Sequence, residues 1–330
     1  MVHEKAQRNA IREFTGFSLS TPHCYFVIST LSIQSLLQTL FLSIFSNHFL
    51  GTILKKFFNF VKIEHTLFTL PLISSGLLLG MKETPSVRLL LLVLVAAVGA
   101  RTVAFALNRI IDRNIDKRNP RTAMRELPSG TMSLAEAFGV LVAGLVLYSG
   151  SAAMISPFCL MLSPIPLIVF VIYPYMKRFT VLAHFGVGFG MSMAPLGGYF
   201  AASPSFDNIV PAVLLCLFTM FWGAGFDIIY ATLDEEFDRR ERLYSFVSRF
   251  GRKKALTFSA LIHLLAFGCL TMLFFTTIRT LYALPLLMLA GFLLWFEQRK
   301  ASNIELAFFR INAVLGFVVF AMIVTGAAFK

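Results

Sequence analysis

Acidic residues are scarce in this chain: 17 Asp and Glu stand against 29 Lys and Arg over 330 residues. Charged residues of both signs make up only 14% of the sequence, while 57% is hydrophobic and the mean hydropathy is +0.76. That balance excludes an ordinary soluble domain. Cysteine is also sparse. Cys24, Cys159, Cys216 and Cys269 all lie in apolar segments and form no C-x-x-C pair. Structural disulfides and zinc sites are therefore not expected. The apolar runs lack the strict alternation of a membrane β-barrel. No basic patch interleaved with aromatics occurs outside short connecting segments, so the net charge of +12 does not point to a nucleic-acid partner.

What is present is a series of apolar runs of about 18 residues or more, the length that crosses a bilayer as a helix. The pattern predicts an all-α polytopic membrane protein, its partner the lipid bilayer. Nine spans are expected, at 64–81, 87–108, 134–154, 157–175, 179–201, 209–230, 254–276, 281–296 and 312–329. Ser133 with Glu136 fits a capping box opening the third span. Lys and Arg concentrate in the loops after even-numbered spans, from Arg109 to Arg125, at Lys177 and Arg178, from Arg239 to Lys254 and from Arg299 to Arg310. The other loops carry only Lys82, Arg88 and Arg279. The basic face should be cytoplasmic, in a bacterial inner membrane. Residues 1–56 read as an N-terminal extension with a possible extra apolar segment at 24–46, and residues 57–330 as the main domain.

Against this background one acidic pattern occurs twice. Asn108-x-x-x-Asp112-x-x-x-Asp116 ends the second span, and Tyr230-x-x-x-Asp234-x-x-x-Asp238 follows the sixth, with Asp227 just upstream. Carboxylates beside hydrocarbon are costly and mark function by default. Positions four apart share a helix face. Asn108, Asp112 and Asp116 thus form one stripe, with Arg101 and Phe105 continuing it inward. Asp234 and Asp238 form a second, and Asp227 lies two turns before Asp234 on nearly the same face. Facing each other at one membrane surface, the stripes would chelate a divalent cation. Mg²⁺ suits them, since it takes oxygen ligands and is bound by a few carboxylates plus substrate phosphates. Arg109, Arg113, Lys117, Arg118, Lys177, Arg178, Arg239 and Arg240 could clamp the remaining phosphate oxygens. The expected ligand is a diphosphate whose tail enters the membrane. The bland alternative is that these acids balance neighbouring arginines in cytoplasmic loops. A secondary transporter is the rival of another class, but its acids would sit near the midplane.

Asn108-Arg109-Ile110-Ile111-Asp112-Arg113-Asn114-Ile115-Asp116, with Asn119-Pro120-Arg121-Thr122 and Leu127-Pro128-Ser129-Gly130, resembles the first signature of the UbiA superfamily of intramembrane prenyltransferases. Asp227-Ile228-Ile229-Tyr230-Ala231-Thr232-Leu233-Asp234 with Asp238 resembles the second, and Tyr173-Pro174-Tyr175-Met176-Lys177-Arg178 a third stretch. The resemblance implies a nine-helix bundle around a central cavity and Mg²⁺-dependent use of a polyprenyl diphosphate, with an aromatic acceptor. It implies Asn108, Asp112, Asp116, Asp234 and Asp238 as metal and diphosphate ligands. It places Asp227 near the acceptor or the reacting centre, with Asp112 and Asp234 as further catalytic acids. Asn108, Arg101, Arg113, Lys177, Arg178 and Tyr230 become candidates for substrate binding.

Departures from the family bear on the acceptor. Members acting on 4-hydroxybenzoate commonly carry Gly-x-Lys-Ser where this chain reads Arg242-Leu243-Tyr244-Ser245. The entry to the first span, Lys62-Ile63-Glu64-His65-Thr66-Leu67-Phe68, also differs from the usual Arg-Phe-Asp-Lys form. Both features look closer to the branch that prenylates a dihydroxynaphthoate for menaquinone. Arg101 could meet a carboxylate on the acceptor or form a structural ion pair. His65 is an interfacial histidine or a site residue, and His184 and His263 are read as polar packing residues.

Overall fold

The computed structural model describes residues 60–61 and 66–329. All belong to the unit Phe57–Lys330. The expectations placed on residues 1–56, on the 24–46 segment and on His65 lie outside the described residues. The described chain is helical throughout: α1 (Thr66–Gly80), α2 (Val87–Arg118), α3 (Leu134–Ile155), α4 (Pro157–Leu162), α5 (Pro164–Met176), α6 (Ala183–Ala202), α7 (Val210–Ala231), α8 (Glu235–Arg240), α9 (Phe246–Phe250), α10 (Arg252–Leu273), α11 (Leu284–Arg299) and α12 (Asn312–Ala328). Short π-helical turns, Phe274–Ile278 and Glu305–Ile311, end α10 and precede α12.

Among the described residues, six helical segments are long and apolar enough to cross a membrane, including Pro157–Met176 taken across the α4–α5 break. The α1 and α12 regions contribute shorter apolar helices. Large apolar side chains face outward, among them Leu91, Val146, Ile168, Leu264 and Met288. Such a surface needs lipid rather than water, and the chain is an integral membrane protein.

Local chemistry sets the helix ends. Ser86 Oγ accepts from the Leu89 N–H at 3.1 Å to open α2. The expected capping box opens α3, with Glu136 N–H to Ser133 Oγ at 3.2 Å and Ser133 N–H to Glu136 Oε2 at 2.6 Å. The expected span at 157–175 is broken at Ser163, because Pro164 takes the first position of a new helix. The second span also differs from expectation. It does not end at residue 108 but runs 32 residues to Arg118, about 48 Å at 1.5 Å per residue. Neither Pro nor Gly interrupts the acidic stretch, and Asn119 turns extended because Pro120 follows it. The first acidic motif is therefore wholly helical and projects beyond the apolar part of the bundle.

Helices α6, α1 and α7 approach closely through small residues. A Cβ on Gly198 would lie 2.1 Å from the Ile73 carbonyl oxygen of α1, and one on Gly188 would lie 2.1 Å from the Met220 oxygen of α7. In lipid such contacts replace hydrophobic expulsion as the source of helix association. The larger core gathers Phe218, Trp222, Phe226, Leu270 and Met322 from α7, α10 and α12. A second packs Val103, Ala106 and Ile110 of α2 against Ala137 and Leu141 of α3. Within the larger half, Trp222 Nε1 donates to Asn312 Oδ1 at 2.7 Å, and Asn312 Nδ2 donates to Glu297 Oε1 at 3.0 Å. His263 lies in the same buried layer, 2.9 Å from Gln298 Nε2, a packing role as its sequence context suggested.

Candidate active site

Both acidic motifs meet at one end of the bundle. On α2, Asn108 Nδ2 donates to Asp112 Oδ2 at 3.3 Å, the contact expected of positions four apart. Asp112 is 2% exposed, and Lys177 Nζ lies 2.7 Å from its Oδ2. Arg178 stands 3.5 Å from Asp112 Oδ1 and donates to the Ile111 carbonyl at 2.8 Å. The turn after α5 thus delivers both cations to the first motif. One turn further along, both Asp116 oxygens accept from Arg125 Nη1 at 2.9 Å.

The second motif is not one continuous stripe. Helix α7 ends at Ala231, and Thr232, Leu233 and Asp234 turn the chain before α8. Asp227 and Tyr230 belong to α7, Asp238 to α8, and Asp234 to the turn between them. Asp234 therefore does not share a helical face with Asp227. The broken helix faces Asp234 towards the loop that follows α2. Asn119 Nδ2 donates to Asp234 Oδ1 at 2.8 Å; Arg121 donates to the same oxygen at 2.9 Å and to Oδ2 at 2.5 Å. Arg121 Nη1 also donates to the Tyr230 hydroxyl at 2.7 Å, and its guanidinium lies 5.0 Å from the Tyr230 ring centroid. A planar fork on a carboxylate is the strongest geometry available to such a pair. Residues 119–121 are thus the direct bridge between the motifs.

Electrostatics separates the two acids of the second motif. Burial works to raise the Asp234 carboxyl, but hydrogen bonds from Arg121 and Asn119 and the Arg121 charge override it and hold it below the usual range. Asp238 goes the other way: burial and the neighbouring Asp234 charge push it up to about 6. A hydrogen bond from Ser245 and the nearby Lys177 charge oppose that rise. Lys177 therefore acts on Asp112 of the first motif and on Asp238 of the second.

Asp227 is partnered differently, by His184 Nδ1 at 2.6 Å from its Oδ2. Of the remaining expected residues, Arg101 sits over the Phe105 ring at 4.6 Å, deeper on α2. Arg113 is exposed, since one residue beyond Asp112 rotates it about 100° off the acidic stripe. The structure does not bring it to the other acids. Arg121 and Arg125 are the cations that sequence reasoning did not assign to the site. Their only signal was their place in the signature after Pro120. Among the described residues no three His, Cys, Asp or Glu side chains surround one metal position.

The departure at Arg242 has a backbone counterpart. Arg242 has φ 56°, in the left-handed region that favours the glycine seen in the resembled stretch. The fold keeps the turn and forces a side chain through it. Its neighbour Tyr244 donates its N–H to the Lys177 carbonyl at 2.7 Å, tying this turn to the cation beside Asp112. Arg242→Gly should relieve the turn and stabilise the protein by about 0.5–1 kcal/mol. A thermal-unfolding midpoint in detergent that rises or holds supports this reading; a clear fall contradicts it.

Comparison with known proteins agrees with this geometry. The 4-hydroxybenzoate octaprenyltransferase of Shewanella denitrificans is 29% identical over 231 residues, 70% of this chain and 78% of that protein. The apo structure of a UbiA homolog from Aeropyrum pernix K1 is 31% identical, covers 79% of this chain and 98% of its own, and superposes with a TM-score of 0.74. A UbiA homolog from Archaeoglobus fulgidus bound to DMAPP and Mg²⁺ shares the fold at 19% identity, with a TM-score of 0.66 and coverage of 83% and 98%. Residues 69–314, which contain both acidic motifs and the cations between them, match the UbiA prenyltransferase family, and this chain belongs to that family.

Proposed function

We propose that this protein transfers a polyprenyl group from polyprenyl diphosphate to a hydroxylated aromatic carboxylate of the 4-hydroxybenzoate type, in respiratory quinone synthesis. The observation that carries the proposal is the meeting of the two acidic motifs, bridged by Asn119 and Arg121 at Asp234 and ringed by Lys177, Arg178 and Arg125. Alternating carboxylates and cations at the end of an apolar bundle fit a metal-bound diphosphate with a hydrocarbon tail. The relatives named as 4-hydroxybenzoate octaprenyltransferases support the reading.

The donor set suits Mg²⁺. It consists of oxygen atoms, and Mg²⁺ needs only a few carboxylates because waters and phosphates complete its shell. Asp238, raised by burial and by the adjacent Asp234 charge, is a carboxylate that a cation would relieve. Asp112 and Asp116 of the first motif, with Asn108 beside Asp112, and Asp234 and Asp238 of the second are the side chains that would supply its ligands, although no three of these carboxylates converge on one point in this structure. When bound, Mg²⁺ supplies charge stabilisation for the departing diphosphate. Lys177, Arg178, Arg121 and Arg125 are placed to bind the remaining phosphate oxygens. Arg101 meets the acceptor carboxylate, and Asp227 takes the proton that the aromatic ring loses. The surrounding apolar helices exclude water, which would otherwise capture the allylic cation. The basic loops support a site on the cytoplasmic face of a bacterial inner membrane.

A second reading within the same chemistry has a dihydroxynaphthoate as acceptor. Tyr244 favours it, standing where 4-hydroxybenzoate enzymes commonly carry Lys, with its backbone seated on Lys177.

Metal dependence gives a test with a defined sign. Asp238 titrates near 6 and must be deprotonated to ligate. Apparent Mg²⁺ affinity should be constant well above pH 6 and weaken by up to about tenfold per unit below it. Transfer measured against Mg²⁺ concentration at pH 5.5 and 7.5, with EDTA as control, checks this. Transfer that survives EDTA would contradict the site.

A further inference from the structure

His184 holds a hydrogen-bond arrangement that fixes its chemistry. Its Nε2 faces the Phe246 N–H at 3.3 Å, and its Nδ1 faces Asp227 Oδ2 at 2.6 Å. A backbone N–H can only donate, so Nε2 accepts and carries no proton. The ring is therefore neutral with its proton on Nδ1, and Nδ1–H donates to Asp227.

The arrangement is anchored from both sides. Phe246 is the first residue of α9, where the helix leaves backbone N–H groups without intrahelical partners. Ser245 and Ser248 cap each other reciprocally, with Ser248 N–H to Ser245 Oγ at 3.0 Å and Ser245 N–H to Ser248 Oγ at 2.9 Å. His184 takes the Phe246 donor that this capping box leaves over. The ring is 4% exposed and lies 5.9 Å from the Phe246 ring, so it cannot turn without losing both bonds. Asp227 is more open, its side chain 24% exposed. Its Oδ1 makes no hydrogen bond among the described residues. One oxygen is committed to the protein and the other is available.

We propose that His184 is a positioning residue: its Nδ1–H aims the Asp227 carboxylate so that Oδ1 receives the ring proton. The inference rests on the transfer reaction proposed above. In that reaction the allylic C–O bond breaks and its electron pair leaves with the diphosphate. A π pair of the acceptor ring forms the new C–C bond. The proton on that ring carbon passes to Asp227 Oδ1, its bonding pair restores the aromatic ring, and Asp227 later gives the proton to water. His184 itself gains and loses no proton. It keeps the carboxylate from rotating, as an orienting group does for a general base.

Three variants test this. An Asn amide nitrogen lies near the position of Nδ1 and a Gln amide near that of Nε2. His184→Asn therefore keeps the donor to Asp227, His184→Gln does not, and His184→Phe removes both contacts while filling the space. For each, kcat and the KM of both substrates are measured on purified protein of checked folding. His184→Phe should lose about 10²-fold in kcat with the diphosphate KM changed by less than about threefold. His184→Asn should recover to within about tenfold of the parent. A kcat for His184→Phe within about twofold of the parent would overturn the role, because a histidine that only packs leaves kcat alone. If His184→Phe does not accumulate in membranes, the order of the other two decides. His184→Asn above His184→Gln supports the role, and equality or the reverse order overturns it. The parent separates this claim from the wider one. A parent without Mg²⁺-dependent transfer overturns the proposed function and this inference with it, whereas an active parent beside an unimpaired His184→Phe overturns the inference alone.

Discussion

Replacing Asp112 and Asp234 together by Asn should lower prenyl transfer by at least about 10³-fold while the protein still enters the membrane. Asn matches Asp in shape but removes the charge that a divalent cation requires. The two positions report on different motifs. Asp112 is buried on α2 against Lys177, and Asp234 sits in the turn after α7 against Arg121 and Asn119. The cost to folding is bounded by the partners' access to water. Lys177 is 30% exposed and Arg121 31%, so neither cation is stranded in a dry interior. Product formed per unit of membrane-inserted protein is the measurement, and activity within about tenfold of the parent contradicts the assignment.

The second large effect concerns assembly and compares two adjacent glycines. Gly198→Leu should cost at least about 3 kcal/mol and remove most folded protein from the membrane fraction. Its Cβ would lie 2.1 Å from the Ile73 carbonyl, and backbone on both sides of the contact cannot yield without parting α1 from α6. Gly197 has nothing within 4 Å of the same added atom. Gly197→Leu should therefore be tolerated, with a small gain of about 0.5–1 kcal/mol from helix propensity. Folded yield by size-exclusion chromatography in detergent compares the two, and equal yields would contradict the packing.

These contrasts show what the amino-acid order could reveal. The acidic stripe of α2 was legible because Asn108, Asp112 and Asp116 repeat at helical spacing, and the capping box at Ser133 because both its partners are local. The length of α2 was signalled by Pro120 but obscured by the charged residues from Arg109 onward, which read as a loop. The break of the second motif between Asp227 and Asp234 was not legible. No Gly or Pro marks it, and Asp234 in this turn is held by Asn119 and Arg121 from across the fold. Long-range partners were hidden for the same reason. Arg121 reaches Asp234 and His184 reaches Asp227 only because α2, α6 and α7 converge. His184 therefore looked like a packing residue among the glycines of α6. The relation between Arg242 and its left-handed backbone also emerged only from coordinates, although the missing glycine was visible beforehand.

The most direct measurement is the mass of the product made by membranes that contain this protein. They would be supplied with a polyprenyl diphosphate and Mg²⁺, with 4-hydroxybenzoate and 1,4-dihydroxy-6-naphthoate in competition and EDTA in a parallel sample. The account predicts a prenylated aromatic carboxylate that disappears with EDTA, on the benzoate in the leading reading and on the naphthoate if Tyr244 marks the acceptor. Correctly inserted protein that prenylates neither acceptor would contradict it.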